Sequence, residues 1–327
     1  MELYKAKNRV IGVDVTIAAT NYAIVDVRGD ILAEGSFPTM DYPNVGDYVS
    51  ELARRIVELS ENNGGLELIR AVGISCPSGN IITNCIHNSP NLPWKGVVPM
   101  AAMLRDQIGV AVALANNVEA LAWGEKTFGS GHGFKTFVTI NIRSGVGGAY
   151  FYDNHLVYGD RGFSGEIGHT PLFPDGRICG CGLRGCAEAY IGNRGVINTA
   201  KELMSKSDKA SLMRDFGDNL RQRDIIDCCE KGDKLAQETY RLTGYYLGIM
   251  LAKYATLMNP EAFILTGTLF DAGHWLLDST LESFEQHTFC NIVKNTKILL
   301  SELDSKVRNV LGASALAWET EEYSLFK

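Results

Sequence analysis

No stretch of the chain approaches the ~20 consecutive apolar residues needed to span a bilayer; the longest are broken by Gly, Lys or Asp. No run of Lys and Arg appears either, and 31 basic against 38 acidic residues leave a formal net charge of -7. That balance lacks the cationic excess with which proteins hold phosphate backbones, so direct nucleic-acid binding is not expected. A leader is not expected either. The chain opens Met1-Glu2-Leu3-Tyr4-Lys5 and enters an apolar strand pattern by Val10, which leaves no room for a signal peptide or an N-terminal DNA-binding domain. A cytoplasmic location with no membrane partner follows as the expectation. A secreted disulfide framework is excluded by spacing, because three of the eight cysteines fall within eight consecutive positions and the other five are scattered. Those five (Cys76, Cys85, Cys228, Cys229 and Cys290) read as small buried apolar side chains. With 46% hydrophobic and 21% charged residues, extensive disorder is excluded as well. At 327 residues the chain exceeds one typical domain, so two lobes with separate cores are expected.

What is present is an α/β pattern that occurs twice. Val10 to Val15 reads as a buried strand, Tyr22 to Val27 as its partner, and Arg28-Gly29-Asp30 as the turn into a third strand, Ile31 to Phe37. Val49, Leu52, Ala53, Ile56 and Leu59 at helical spacing predict a helix over 46–61. A strand at 71–74, a helix at 98–108, a strand at 110–114 and a helix at 117–128 follow. Then Thr136 to Ile142 reads as a strand, Gly145-Val146-Gly147-Gly148 as a glycine-rich turn, 149–152 as a partner strand, and 155–158 as a third. A long helix from about Asp233 is stopped by Asn259-Pro260, and a strand at 262–265 runs into Thr266-Gly267-Thr268. The repeated strand–turn–strand–turn–strand order predicts a duplicated α/β fold, with a small lobe over 1–115 and a large lobe over 116–307. An Ala-rich helix over about 308–327 is expected to pack back on the small lobe.

Cys179-Gly180-Cys181-Gly182-Leu183-Arg184-Gly185-Cys186 places three thiols in one glycine-rich loop, where the backbone can fold so that the sulfurs converge on one ion. His169, ten residues upstream, completes a closed Cys₃His set, which suits a structural zinc ion. Three reduced thiols without metal, or an iron–sulfur cluster, are the alternatives.

Together with Gly165-Glu166-Ile167-Gly168-His169 and the following Ala187-Glu188, this loop resembles the signature of the ROK family (repressors, open reading frames and sugar kinases). The resemblance extends over nearly the whole chain. Asp14 stands where the family's first phosphate loop begins, Pro90-Asn91-Leu92-Pro93-Trp94 resembles its sugar-lobe segment, and Leu114 to Glu125 its catalytic helix. Arg143-Ser144-Gly145 and the glycines after it resemble the second phosphate loop, and Thr266-Gly267-Thr268 the adenosine loop. The resemblance implies an actin-like, hexokinase-type pair of lobes, a homodimer, and a hexose, N-acetylhexosamine or its 6-phosphate as ligand. It also implies that Asn91, Asn116, Asn117, Glu166, His169 and Glu188 contact the sugar, His169 using its second ring nitrogen.

Four departures stand out. Asn117 occupies the position of the family's catalytic Asp, and a carboxamide cannot take the proton of an attacking hydroxyl; losing a general base costs on the order of 10²–10⁴ in rate. Where the family's first loop reads Gly-Gly-Thr, this chain reads Thr16-Ile17-Ala18; Arg143 replaces a glycine of the second loop, and Thr266 and Thr268 flank the one glycine left in the adenosine loop. The loop changes fall on the nucleotide side, and only Asn117 touches the sugar side. The expected function is sugar or sugar-phosphate sensing with phosphoryl transfer lost and Mg-ATP binding in doubt. A working hexose or N-acetylhexosamine kinase is the alternative.

Overall fold

The computed structural model describes residues 7–320; the opening segment Met1–Lys5 and residues 321–327 of the expected last helix lie outside them. The chain divides into two compact units, one of residues up to 133, 156–164 and from 302 on, the other of 134–155 and 165–301.

The first unit begins with an antiparallel meander of β1 (Arg9–Val15), β2 (Thr20–Asp26) and β3 (Ile31–Phe37). There follow α1 (Val45–Glu61), β4 (Ile69–Ser75), β5 (Gly79–Asn80), β6 (Cys85–His87) and β7 (Val97–Val98). Then come α2 (Met100–Ile108), β8 (Ala111–Ala115) and α3 (Asn117–Phe128). The main sheet runs β3-β2-β1-β4-β8, with β4 parallel to both β1 and β8. β1 is buried from Val10 to Val15, so it is a continuous apolar run instead of an alternating one. Asn44 caps α1 by accepting the N–H groups of Gly46 and Asp47, and the helix buries Tyr48, Val49, Leu52 and Ile56 in the core under the sheet.

The second unit repeats this plan. β9 (Phe137–Ile142) and β10 (Val146–Tyr152) pair antiparallel, and β11 (His155–Val157), inside which the unit boundary falls, extends the sheet. Next come α4 (Glu188–Ile191), α5 (Asn193–Ser205), α6 (Gln222–Glu230), α7 (Lys234–Met258) and β12 (Ala262–Thr266). α8 (His274–His287), α9 (Cys290–Val293) and β13 (Lys297–Leu300) complete it. The order β11-β10-β9-β12-β13, with β12 parallel to β9 and β13, matches the first sheet strand for strand. The duplication read from the sequence is therefore a duplication of topology.

One turn differs from expectation. Gly147 and Gly148 lie inside β10, not in a turn, and the chain reverses at 143–145. Gly148 is small because Ile167 packs against it; a Cβ there would come 2.6 Å from Ile167 Cδ1.

α10 (Arg308–Glu319) returns the chain to the first unit. A Cβ on Gly12 would overlap the carbonyl of Val310, and one on Gly73 that of Ala313, so β1 and β4 touch the helix backbone directly. The alanines of α10 at 313, 315 and 317 are all buried, 313 and 317 on the side facing β4. No helix among the described residues is long and apolar enough to cross a membrane.

Candidate functional site

The thiol loop of the second unit is a hairpin held by two bridges, Pro171 with Cys186 and Ile178 with Arg184. Its tip closes through Cys179 N–H to the carbonyl of Leu183 at 2.8 Å and Gly182 N–H to that of Cys179 at 3.0 Å. Gly182 takes φ +90° and Gly185 φ +75°, which favours glycine at both places. The one-turn segment Ile167–His169 brings the imidazole alongside. One ligand atom each from His169, Cys179, Cys181 and Cys186 all lie within 4.8 Å of one another. Cys181 Sγ is 3.7 Å from Cys186 Sγ, and Cys179 Sγ is 3.7 Å from His169 Nδ1. Sulfurs at ~2.3 Å and a nitrogen at ~2.0 Å from one tetrahedral ion stand about 3.5–3.8 Å apart, so the four groups could close on a metal with side-chain shifts of about 1 Å or less. Burial pushes the thiol of Cys179 up, and that of Cys186 to about 12. The other ring nitrogen, His169 Nε2, lies 3.9 Å from the Glu166 carboxylate, whose side chain is largely exposed.

Glu188, the first residue of α4, connects this cluster to the second phosphate-loop segment. Its Oε2 accepts the N–H of Val146 at 3.0 Å, and the thiol of Cys179 donates to its Oε1 at 3.6 Å. A Cβ on Gly145 would come 3.0 Å from Oε2, so the missing side chain lets the carboxylate reach the backbone. Arg143 and Ser144 are exposed at the bend, which closes through Arg143 N–H to the Gly145 carbonyl at 2.9 Å. Gly267, with φ +113°, ends β12 against Ile142, beside the start of the same bend. A cavity of about 610 Å³ here is lined by Ser144, Cys179, Glu188, Asn193, Arg194 and Asp218, among others. The second unit thus gathers Ser144, Gly145, the thiol cluster and Glu188.

In the first unit the candidates sit at the carboxyl ends of parallel strands, where α/β sheets generally place ligands. Asp14 of β1 is opposite Ser75 of β4, and Ser75 is opposite Ala115, the last residue of β8. Asp14 is 3% exposed; the hydroxyl of Ser75 donates to its Oδ1 at 3.3 Å and Nδ2 of Asn309 to its Oδ2 at 3.1 Å. Thr16 pins the turn that follows. Its N–H donates to the Ala19 carbonyl at 3.0 Å, its hydroxyl to the same carbonyl at 2.7 Å, and Ala19 N–H returns to that hydroxyl at 3.1 Å. No residue from 16 to 19 has positive φ.

Asn116 caps α3. Its Oδ1 accepts the N–H groups of Val118 and Glu119 at 2.9 Å each, and Glu119 Oε2 accepts the N–H of Asn116 at 3.1 Å. The spacing Asn116-x-x-Glu119 is a capping box, a helix-start signal already present in the sequence. The next residue, Asn117, has its Oδ1 buried without a hydrogen-bond partner. Asn91 is exposed and is followed by two buried anchors: Leu92, and Trp94, whose indole N–H donates to the Tyr42 carbonyl at 3.1 Å. The sugar-side and nucleotide-side candidates are therefore divided between the units. Asp14, Thr16, Asn91, Asn116 and Asn117 lie in one, and Arg143, Ser144, Gly145, Glu166, His169, Glu188 and Gly267 in the other.

The glucokinase of Streptomyces coelicolor is 30% identical over 318 residues, covering 95% of this chain and 98% of that protein. The xylose repressor of Bacillus spizizenii is 27% identical over 317 residues, covering 94% of this chain and 77% of the repressor. A ROK family glucokinase from Streptomyces griseus, solved in complex with glucose and AMPPNP, aligns with a TM-score of 0.76 at 28% identity and covers 95% of this chain and 100% of that one. The two α/β units of matching strand order are thus those of the actin-like, hexokinase-type fold. The profile of the ROK family matches residues 10–320, and the chain belongs to that family.

Proposed function

We propose that this chain binds a hexose, an N-acetylhexosamine or its 6-phosphate and has lost phosphoryl transfer. The observation that carries the reading is the turn after β1. Phosphate loops work by turning backbone N–H groups outward toward the anion, usually through glycines. Here the N–H groups of Thr16 and Ala19 are both taken up inside the turn. Asp14 is engaged by Ser75 and Asn309, and Asn117 offers no carboxylate to remove a proton. On the sugar side Glu166, His169 and Glu188 are kept, groups that accept from and donate to sugar hydroxyls and can discriminate strongly between them.

Zinc is the metal that best suits the Cys₃His set, held by His169, Cys179, Cys181 and Cys186 with no open coordination position. Bound there it supplies structure, not chemistry: it fixes the hairpin and the His169 ring, and through them the segment that presents Glu188. A regulatory role would act through a protein partner or another subunit.

A working kinase is the second reading. It is favoured by the retained Asp14 and Gly145 and by the cavity that Ser144 lines with Arg194 and Glu188. A coupled ADP-release assay over a panel of hexoses and N-acetylhexosamines separates the two. Sugar stabilisation in a thermal-shift screen without ADP release supports the proposal, and sugar-dependent release contradicts it.

A further inference from the structure

We infer that Arg177 is a positioning residue which fixes the turn carrying Glu188 to the thiol hairpin; this rests on reading Glu188 as part of the sugar site. Arg177 lies two residues before Cys179, and its side chain is only 15% exposed. Its guanidinium reaches both helices beyond the hairpin. Nη1 donates to the carbonyl of Ala189 in α4 at 3.1 Å and to that of Gly195 in α5 at 3.2 Å. Nη2 donates to the Thr199 hydroxyl at 3.0 Å, and Nε to Glu202 at 2.9 Å. The guanidinium carbon sits 4.6 Å over the ring of Tyr190, while the backbone N–H of Arg177 donates to the hydroxyl of that same tyrosine at 2.9 Å. Tyr190 is in turn packed edge-on against Phe173 and Tyr246 at 4.9 and 5.4 Å.

α4 is four residues long, a single turn, and one turn of helix has no stability of its own. Its orientation must come from outside, and Glu188 depends on it. Cys186 holds the turn from the N-terminal side. On the other side, Arg177 grips the carbonyl of Ala189, the residue after Glu188, and ties it to α5. A planar fork can serve two carbonyls, a hydroxyl and a carboxylate at once, which a lysine cannot do. The order of the metal hairpin thereby reaches the Glu188 carboxylate and, through its bond to Val146 N–H, the 143–146 bend.

Hydrogen exchange at the Val146 amide, measured on the full chain purified with zinc and without any sugar, reads this directly. Glu188→Ala calibrates it: losing a hydrogen bond to a carboxylate should speed exchange about tenfold or more. Arg177→Lys should speed Val146 exchange to a similar degree while zinc content, measured in the same samples, stays at the wild-type level. Unchanged exchange at Val146 with only a lower melting temperature would make Arg177 a mere packing residue and overturn the inference. If Arg177→Lys does not fold, Thr199→Val, which removes one partner, decides the same way: faster exchange supports the inference and unchanged exchange overturns it. Because no sugar is present, the result stands apart from whether the chain binds one.

Discussion

The hydroxyl of Thr16 donates to the carbonyl of Ala19 at 2.7 Å and accepts the N–H of the same residue at 3.1 Å, so the turn that leaves β1 is closed on itself. A side-chain hydroxyl that satisfies the turn's own backbone competes with any outside ligand for those groups. The exposed Ile17 at the tip adds a β-branched side chain where a phosphate would need an open backbone.

On the proposed function, this closure outweighs the absence of a carboxylate at position 117. Restoring the carboxylate with Asn117→Asp should not by itself create a kinase, because no phosphoryl donor would be held in place. ADP release by this variant is expected to stay at the no-sugar background across hexoses. Brisk sugar-dependent release would mean that the turn opens or is not needed.

The thiol cluster should hold about one zinc per chain, because metal binding and folding of such a loop are coupled. Cys181→Ser or Cys186→Ser should lose the metal and lower the melting temperature, each kcal/mol lost being worth roughly 2–4 °C in a chain segment of this size. Cys290→Ser, at an exposed position away from the cluster, should do neither. Elemental analysis alongside thermal melts checks this, and a metal-free wild type purified without chelator would refute it.

Arg143 is exposed at the 143–145 bend, and a guanidinium fork suits a phosphate. Sugar 6-phosphates should bind more tightly than the free sugars. Arg143→Ala should weaken the phosphorylated ligand about 10- to 150-fold, the range for a hydrogen bond to a charged group, and leave the free sugar unchanged. Matched titrations giving equal affinities in both proteins would remove Arg143 from the site.

Asp233 caps α7 and is 8% exposed; its Oδ1 accepts the N–H groups of Leu235 and Ala236, and its Oδ2 the Ser211 hydroxyl and the N–H of Leu212. Burial alone would raise its pKa, but these donors outweigh it and hold the carboxyl below its ordinary 3.8. With the folded value depressed, the carboxylate stabilises the protein above pH 3.8, and that contribution is lost as pH falls through the lower folded value. Asp233→Ala should cost about 2 kcal/mol near neutrality. Urea midpoints should show the gap between wild type and variant narrowing as the pH is lowered below 4 (roughly the ordinary carboxyl value); a gap that stays constant would contradict the assignment.

Most of the architecture was legible because it rests on local periodicity. α1 has a clean apolar face, β1 is a continuous buried run, and the three thiols of one short glycine-rich loop converge with His169. Features set by a distant partner were not. Gly148 looks like a turn glycine until Ile167 is seen against it, and the capping role of Asn116 shows only once its Oδ1 is found on the N–H groups of α3. β13 is a half-exposed four-residue strand with no alternation, defined only by its pairing with β12. The pinning of the 16–19 turn and the reach of Arg177 depend on side-chain geometry that spacing cannot express.

On the proposed function the sugar side is kept while the nucleotide side is closed. The decisive experiment is calorimetric titration of Mg-ATP into the zinc-loaded protein in the presence of a sugar that stabilises it. The expected result is no saturable binding below the millimolar range, and a micromolar Kd for Mg-ATP would contradict it.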